Sequence, residues 1–326
     1  MVKAVVDAAF YLKKVNFENN GPAYIEYRRR WNENPKKYIV DTFPIHLDLE
    51  SITQCNLKCS LCFQSYNPPE YARMETKLFK KIIDEGAKKN LCSVKLQFRG
   101  EPLLDTRIVD MVRYAKKKGI IEAMLNTNTT LLNGELAKNL IEAGLDKIIC
   151  SADGYTKEVY ENIRIGANFD KVLNNIRCLQ SLKKKMGSQK PIVRVQMIDA
   201  PINHSQIGGY LKFWGKIADQ VAIAGMSDQK DDKDDFTPLP NFACAQLWQR
   251  LVVLADGDVL PCCGALWQGN EKLEVLQNVK DVSISEIWHS DKLNKLRDLH
   301  RKGKTHKIKM CRLCNARKFL IKHKKG

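Results

Sequence analysis

Three cysteines on one short stretch constrain this chain more than any other feature. Cys55, Cys59 and Cys62 follow a C-x3-C-x2-C pattern, directly after an extended run of alternating apolar and polar residues, Ile45 to Glu50. Three thiolates on one loop can hold three irons of a 4Fe–4S cluster and leave the fourth iron without a protein ligand. A metal position left open by the protein is typical of a reactive centre. The stretch therefore predicts an iron–sulfur site with chemistry of its own.

The spacing also resembles the signature of the radical S-adenosylmethionine (radical SAM) superfamily. In that family the amino and carboxylate groups of S-adenosylmethionine (SAM) occupy the open iron. The family usually has an aromatic residue before the third cysteine; this chain has Leu61 there and Phe63 just after, which predicts a slightly different packing of adenine. The alternative is a zinc knuckle, which needs a fourth ligand nearby. Its nearest candidates are His46, on the preceding strand, and Cys92, well down the chain.

The composition is that of a soluble globular protein with an excess of positive charge. Of 326 residues 44% are hydrophobic, and the formal net charge is +17. No apolar run approaches the ~20 residues that span a bilayer, and the first residues lack the pattern of a secretory signal. The 11 cysteines are then metal ligands and reduced thiols in a cytosolic protein without a membrane partner.

The end of the chain is strongly basic. Eleven Lys or Arg and no acid lie between Leu299 and Gly326. No aromatic-rich RNA-binding motif accompanies them. The pattern predicts a solvated, partly disordered end in preference to a contact with nucleic acid.

Strand-like and helix-like segments alternate along the middle of the chain. This rhythm predicts repeated βα units with parallel strands. Six units suit a partial barrel better than a closed eight-stranded one. The predicted fold class is α/β: a partial (β/α)6 TIM-like barrel with a small C-terminal auxiliary domain of a β-hairpin and helices. We predict strands near 45–50, 93–98, 121–126, 147–151, 192–197 and 220–224, and helices near 75–89, 105–118, 133–143, 169–185 and 205–218.

Changes in composition divide the chain into five segments. A polar, charged stretch followed by two prolines separates the barrel from the cysteines beyond it. The predicted segments are a helical lead-in (1–44), the barrel (45–226), a linker (227–240), the auxiliary domain (241–316) and a basic tail (317–326).

The predicted strands carry a polar face. Strands of a parallel sheet covered on both sides should be almost uninterrupted runs of Val, Ile and Leu. Here apolar and polar residues alternate, which places the polar set on one side of each strand. This pattern predicts a wide barrel with a water-filled lumen. The alternative is that some of these strands are edge strands with one face in solvent. The polar set is His46, Asp48, Glu50, Lys95, Gln97, Glu122, Asn126, Arg194 and Gln196.

Further motifs that resemble the radical SAM family stand at the ends of the predicted strands. The second strand ends in Gly100-Glu101-Pro102, similar to the family's Gly-Gly-Glu-Pro turn, which helps to hold the amino end of SAM; Arg99 replaces the first glycine. The resemblance implies further SAM contacts at the ends of strands three and four and in the segment after strand four. An arginine in that segment is suited to bind the SAM carboxylate through two hydrogen bonds. These candidates are Asn126, Ser151, Asp153 and Arg164.

A second group of cysteines lies beyond the linker. Cys244, Gly257 and Cys262 form C-x12-G-x4-C, and Cys311 and Cys314 form C-x2-C. The group resembles the shortened SPASM type called twitch, which implies that four cysteines hold one auxiliary 4Fe–4S cluster. The alternative is a zinc ribbon, since four thiolates also make a common zinc site.

Cys263 adjoins the cluster ligand Cys262. It is interpreted as a packing residue beside the cluster. The alternative is a hydrogen-atom donor to a substrate radical.

The resemblance implies a function. In this family the first cluster, reduced by an external one-electron donor such as flavodoxin or ferredoxin, cleaves SAM to a 5′-deoxyadenosyl radical that takes hydrogen from a substrate. A polar lumen favours a sugar, aminocyclitol or nucleotide-sugar substrate. Oxidation of an alcohol needs a base and an electron acceptor. Glu50 and Asp48 are the candidate bases, and the auxiliary cluster is the candidate electron acceptor. The alternatives are a radical epimerase, a peptide maturase, an RNA-modifying enzyme or a nonenzymatic iron–sulfur protein.

Overall fold

The computed structural model describes residues 9–11, 21–225, 233–267 and 271–323. Six strands lie between residues 46 and 225, and each is joined to the next through one helix, except that two helices lie between β5 and β6. The strands are β2 (His46–Leu49), β3 (Ser93–Lys95), β4 (Glu122–Thr127), β5 (Lys147–Ser151), β6 (Ile192–Asp199) and β7 (Gln220–Gly225). The helices are α2 (Thr76–Lys88), α3 (Ile108–Lys117), α4 (Gly134–Glu142), α5 (Lys157–Ile163), α6 (Phe169–Lys185) and α7 (Ile207–Trp214).

The six strands lie side by side in chain order and are all parallel. The sheet does not close on itself in the described residues, since β1 and β9 form its two edges. Its parallel strands joined through helices confirm the predicted α/β fold class. The short helix α5 was not predicted from the sequence, since seven residues are too few for a clear helical period.

Three further strands extend the sheet through pairings that the sequence did not predict. In the lead-in, β1 (Ala9–Tyr11) pairs antiparallel with β7, and α1 (Gly21–Lys37) follows it, so the lead-in is not purely helical. At the opposite edge, β8 (Arg250–Val253) lies parallel to β2, and β9 (Val259–Leu260) folds back against β8. The C-terminal hairpin is thus part of the barrel sheet.

The alternating polar face lines the inside of the barrel. β3, β4, β5 and β6 each have a neighbouring strand on both sides, so the edge-strand alternative does not apply to them. Every second residue of β4, β5 and β6 is buried under the helices, whereas most of the residues between them are partly accessible. The accessible polar side chains on the inner face include Lys95, Asn126, Ser151, Arg194 and Gln196.

The auxiliary domain is fixed to the barrel through α2. The Lys81 ammonium donates to the carbonyl of Val279 (2.7 Å), and the Glu85 carboxylate accepts the N–H groups of Ile284 (3.1 Å) and Ser285 (2.9 Å) at the start of a helix. The elements of this domain are β10 (Leu266–Trp267), β11 (Glu271–Lys272), α8 (Ile284–Trp288), α9 (Asp291–Arg301), α10 (Lys309–Arg312) and α11 (Asn315–His323).

The start of the basic tail is ordered, in contrast to the predicted solvated end. Arg317 is 1% exposed, and its guanidinium donates to the carbonyl of Asp235 (2.8 Å) and to the hydroxyl of Thr305 (3.1 Å). Arg312 forms an ion pair with Asp234 (3.0 Å). The second half of the acidic linker therefore packs against basic residues near the end of the chain; residues 226–232 and 324–326 lie outside the described residues.

Within the described ranges, no helix is both long enough and apolar enough to cross a bilayer.

Candidate active site

The first cysteine loop leaves the carboxyl end of β2 and is held from two sides. The N–H of Lys58 donates to the carbonyl of Ile165 (3.0 Å), next to Arg164. The side chain of Asn128, just after β4, donates to Asn56 (2.8 Å). The loop is therefore fixed against the ends of the strands, where βα barrels collect their chemistry.

The thiols of Cys55, Cys59 and Cys62 lie together on this loop. Burial raises the pKa of each, that of Cys59 to about 11, and charge on the neighbouring thiols raises the pKa of Cys55 and Cys59 further. Thiols in such a place ionise when a cation is bound, because its positive charge stabilises the thiolate. The donor set thus fits iron. In the part of the chain that the structure describes, no three Cys, His, Asp or Glu side chains form the arrangement of a single-ion site.

The Gly-Glu-Pro turn (100–102) packs directly on the cysteine loop. The N–H of Glu101 donates to the carbonyl of Gln54 (2.7 Å), one residue before the first cysteine. The buried Glu101 carboxylate accepts the Thr127 hydroxyl (2.5 Å) and the Asn128 N–H (2.7 Å). Burial raises the pKa of Glu101 despite these hydrogen bonds. Glu101 therefore ties the turn to the end of β4, and a contact with SAM stays a prediction.

Asp153 and Arg164 form a buried ion pair, with Arg164 Nη2 2.7 Å from Asp153 Oδ2. Burial alone would lower the pKa of Arg164, but the charges of Asp153 and Cys59 outweigh it and raise the pKa, so the guanidinium stays charged. Its Nε is buried and has no hydrogen-bond partner among the described residues. An unsatisfied buried N–H costs free energy. The group therefore fits a ligand carboxylate. Nearby, the Ser151 hydroxyl donates to Asn126 (3.4 Å).

Arg164→Ala is expected to weaken the binding of SAM by about 1.5–3 kcal/mol, the scale of a hydrogen bond to a charged group. Isothermal titration of the anaerobic protein with SAM measures the change. Arg177→Ala, on the exposed face of α6, is the matched control and should bind SAM like the parent chain. An Arg164→Ala variant with full iron content and unchanged SAM affinity would remove Arg164 from the site.

The two predicted bases are both engaged in ion pairs. The Glu50 carboxylate is fully buried and receives Arg99 Nε (2.6 Å) and Nη2 (2.7 Å), the Arg99 N–H (3.3 Å) and the Ala255 N–H (3.1 Å). Asp48 contacts Lys95 (2.8 Å) and Arg250 (3.3 Å). Burial alone would raise the pKa of Asp48, but these two cations hold it well below its usual value. This geometry argues against either carboxylate as a general base.

Glu50 instead links three parts of the site: the end of β2, Arg99 just before the Gly-Glu-Pro turn, and the β8–β9 hairpin. Glu50→Gln should lower the free energy of unfolding by about 3–5 kcal/mol, because it removes one partner of a buried ion pair. Thermal unfolding is the measurement, with Glu135→Gln on the exposed face of α4 as the control. Unchanged stability together with a large loss of turnover would restore Glu50 as a base.

Four of the C-terminal cysteines converge in the auxiliary domain. Cys244 precedes the turn that leads into β8, Cys262 follows β9, Cys311 lies in α10, and Cys314 lies between α10 and α11. A Cβ placed on Gly264 would be 3.7 Å from the sulfurs of both Cys262 and Cys314.

Burial and the nearby thiols raise the pKa of these four cysteines, that of Cys244 to about 12. Four thiols buried together need a cation before they can ionise together. The donor set fits a metal cluster.

Cys263 stands at the edge of this group. Its side chain is exposed, and its sulfur donates a hydrogen bond to the Gln246 amide oxygen (3.5 Å). Cys263 thus lies at the exposed edge of the cysteine group, and its role, as a packing or cluster-shell residue or as a hydrogen-atom donor, stays a prediction.

Two contributors to the sites were missed from the sequence. Asn128 reaches both the cysteine loop and the sulfur of Cys55 (3.9 Å). His300 contacts the sulfur of Cys311 (3.3 Å). Neither residue stands at a sequence spacing typical of metal ligands. The position of Asn128 in the turn after β4 was a signal for its role, whereas no sequence feature pointed to His300.

Comparison with known families agrees with both sites. The radical SAM superfamily matches residues 49–188. A SPASM domain, described as an iron–sulfur cluster-binding domain, matches residues 244–315.

Curated relatives cover most of the chain. The tungsten-containing aldehyde ferredoxin oxidoreductase cofactor-modifying protein of Pyrococcus furiosus is 27% identical over 76% of this chain and 81% of its own. The S-adenosyl-L-methionine-dependent 2-deoxy-scyllo-inosamine dehydrogenase of Niallia circulans is 24% identical over 82% of this chain and 92% of its own.

A solved structure shares the fold across nearly the whole chain. Streptococcus suis SuiB bound to S-adenosylmethionine superposes with a TM-score of 0.65 at 17% identity, over 92% of this chain and 79% of that one. The two proteins therefore share a fold.

The chain therefore has a radical SAM domain followed by a C-terminal SPASM domain. These two domains imply a SAM-binding 4Fe–4S cluster, SAM itself and an auxiliary 4Fe–4S cluster.

Proposed function

We propose that this radical SAM enzyme oxidises an alcohol carbon of a small polar substrate held in the lumen of the barrel. The observation that carries the proposal is the inner face of the barrel, where polar and charged side chains remain partly accessible beneath the cysteine loop. Lys95 is 22% and Arg250 19% exposed at the side chain, although both contact Asp48. Such groups can donate hydrogen bonds to hydroxyl or phosphate substituents.

The named activity of one relative supports the same reaction class. The Niallia circulans protein, which aligns over 82% of this chain, is a dehydrogenase whose substrate name, 2-deoxy-scyllo-inosamine, denotes an amino-polyol. The Pyrococcus furiosus relative is named a cofactor-modifying protein. The polar inner face supports a sugar, aminocyclitol or nucleotide-sugar as the substrate class.

The protein residues would bind and position the reactants. Cys55, Cys59 and Cys62 would hold the first cluster, and Arg164 would bind the carboxylate of SAM. The auxiliary thiols would hold the second cluster. When bound, these cofactors supply one-electron reduction, hydrogen-atom abstraction and an electron acceptor. An external one-electron donor such as flavodoxin or ferredoxin would provide the first electron.

Oxidation requires the substrate to lose one hydrogen atom, one electron and one proton. Neither Glu50 nor Asp48 is free to take the proton, because each is held by cations. The proton would therefore pass to a water molecule at the accessible inner face of the barrel. The ion pairs would instead fix the inner wall against which the substrate binds.

The second candidate is a radical epimerase, and the exposed thiol of Cys263 favours it. A thiol can return a hydrogen atom to a carbon radical, whereas oxidation needs no such donor. The two reactions therefore differ in their dependence on this side chain.

Under the oxidation proposal, Cys263→Ala should keep most of the turnover. The assay is run in heavy water with a panel of polyols, aminocyclitols and nucleotide-sugars, and the products are analysed by mass spectrometry. A product two mass units lighter than the substrate, without deuterium on carbon, is expected. Deuterium on carbon that disappears in Cys263→Ala would show epimerisation instead.

A further inference from the structure

His300 joins two of the auxiliary cysteines. It lies near the end of α9, is 2% exposed, and packs beside the ring of Phe242. Its Nδ1 is 3.1 Å from the backbone nitrogen of Cys244, and its Nε2 is 3.3 Å from the sulfur of Cys311. One imidazole ring therefore spans the gap between the first and third cysteines of the site.

These contacts determine which ring nitrogen carries the proton. The backbone N–H of Cys244 can only donate, so Nδ1 accepts and has no proton of its own. The proton of the ring is then on Nε2, and it points at the sulfur of Cys311. The arrangement is thus an N–H donor aimed at a cluster ligand.

The donor to Cys311 differs from those at two other auxiliary thiols. Cys244 receives a hydrogen bond from the backbone N–H of Gln246, and Cys314 from the backbone N–H groups of Ala316 and Arg317. The donor from His300 is a side chain, so mutation can remove it without altering the backbone.

We propose that His300 is a positioning residue of the auxiliary site: it fixes the Cys311 sulfur and raises the reduction potential of the auxiliary cluster. A reduced cluster carries more negative charge on its sulfurs, so a hydrogen bond to a sulfur favours the reduced form. A higher potential makes the cluster a better electron acceptor. The proposal needs the auxiliary cluster; it does not depend on which substrate reaction the enzyme performs.

The test uses a chain in which Cys55, Cys59 and Cys62 are replaced by Ala, so that only the auxiliary cluster gives a signal. In this background, His300→Leu should retain about four iron per chain. Its reduced-to-oxidised ratio at a fixed potential should fall about tenfold, which is a shift of ~59 mV to more negative potential for a one-electron couple. His289→Leu is the control, because His289 is exposed in the same domain and its imidazole hydrogen-bonds the Thr42 carbonyl (3.2 Å). An unchanged potential in His300→Leu would overturn the proposal.

A second measurement needs no His300 variant and covers the case in which His300→Leu fails to hold iron. Pulsed electron paramagnetic resonance of the reduced auxiliary cluster in a chain with 15N-labelled histidine should show a coupled histidine nitrogen. The absence of this coupling would overturn the proposal. No substrate is present in either experiment, so a negative result here leaves the oxidation proposal untouched, and failure of the oxidation assay leaves these readouts intact.

Discussion

Gly100→Ala is expected to slow the release of 5′-deoxyadenosine from SAM by about 100-fold or more. A Cβ at this position would lie 2.4 Å from the Ile52 carbonyl oxygen, 2.5 Å from the Gln54 carbonyl oxygen and 2.8 Å from the Thr53 carbonyl carbon. All three atoms are backbone, so no side chain can move aside. The cysteine loop would have to shift, and a displacement of ~1 Å in an active site can cost ~100-fold in rate.

The same substitution should also destabilise the fold by about 1–3 kcal/mol, the usual cost of excess volume in a packed region. The matched control is Gly208→Ala in α7, where an added Cβ meets nothing within 4 Å. This change should leave SAM cleavage unaltered and raise the stability slightly, because Ala favours a helix. SAM cleavage at the parental rate in Gly100→Ala would show that the turn does not pack on the loop as described.

The order of the strands in the barrel could be predicted because the sequence patterns that define each strand and helix are local. Each βα unit has its own hydrophobic pattern, and the cysteine loop, the Gly-Glu-Pro turn and the segment with Arg164 follow one another along the chain. Parallel strands in chain order bring their carboxyl ends to one edge. The structure accordingly brings the predicted residues at the first site together.

The contacts of the auxiliary hairpin could not be predicted, because they join distant parts of the chain. β8 pairs with β2 about 200 residues away (Asp48 opposite Val252), and a short run of Leu and Val does not indicate which edge it will join. For the same reason, the sequence identified Arg99 only as a departure from the family's glycine. In the structure, Arg99 holds Glu50, so the predicted base is an ion-pair partner.

His300 and the ordered tail were missed for a related reason. A lone histidine or arginine has no spacing to interpret; its role depends on what surrounds it after folding. Burial of Arg317 against the linker and of His300 against Cys311 arises only from tertiary packing.

Replacement of Cys55, Cys59 and Cys62 by Ala is expected to abolish SAM cleavage completely. These thiols sit on a loop held by the ends of β2 and β4, and the four auxiliary thiols lie in a separate domain. The variant should therefore lose one cluster and keep the other. Cys92→Ala is the matched control, since Cys92 is buried in the lead-in core, away from both groups.

The most direct measurement is the iron and zinc content of the anaerobically reconstituted chain, taken together with the yield of 5′-deoxyadenosine after reduction. The parent chain should hold about eight iron and release 5′-deoxyadenosine, and the triple variant should hold about four iron and release none. Stoichiometric zinc in the parent chain, or 5′-deoxyadenosine from the triple variant, would contradict this account.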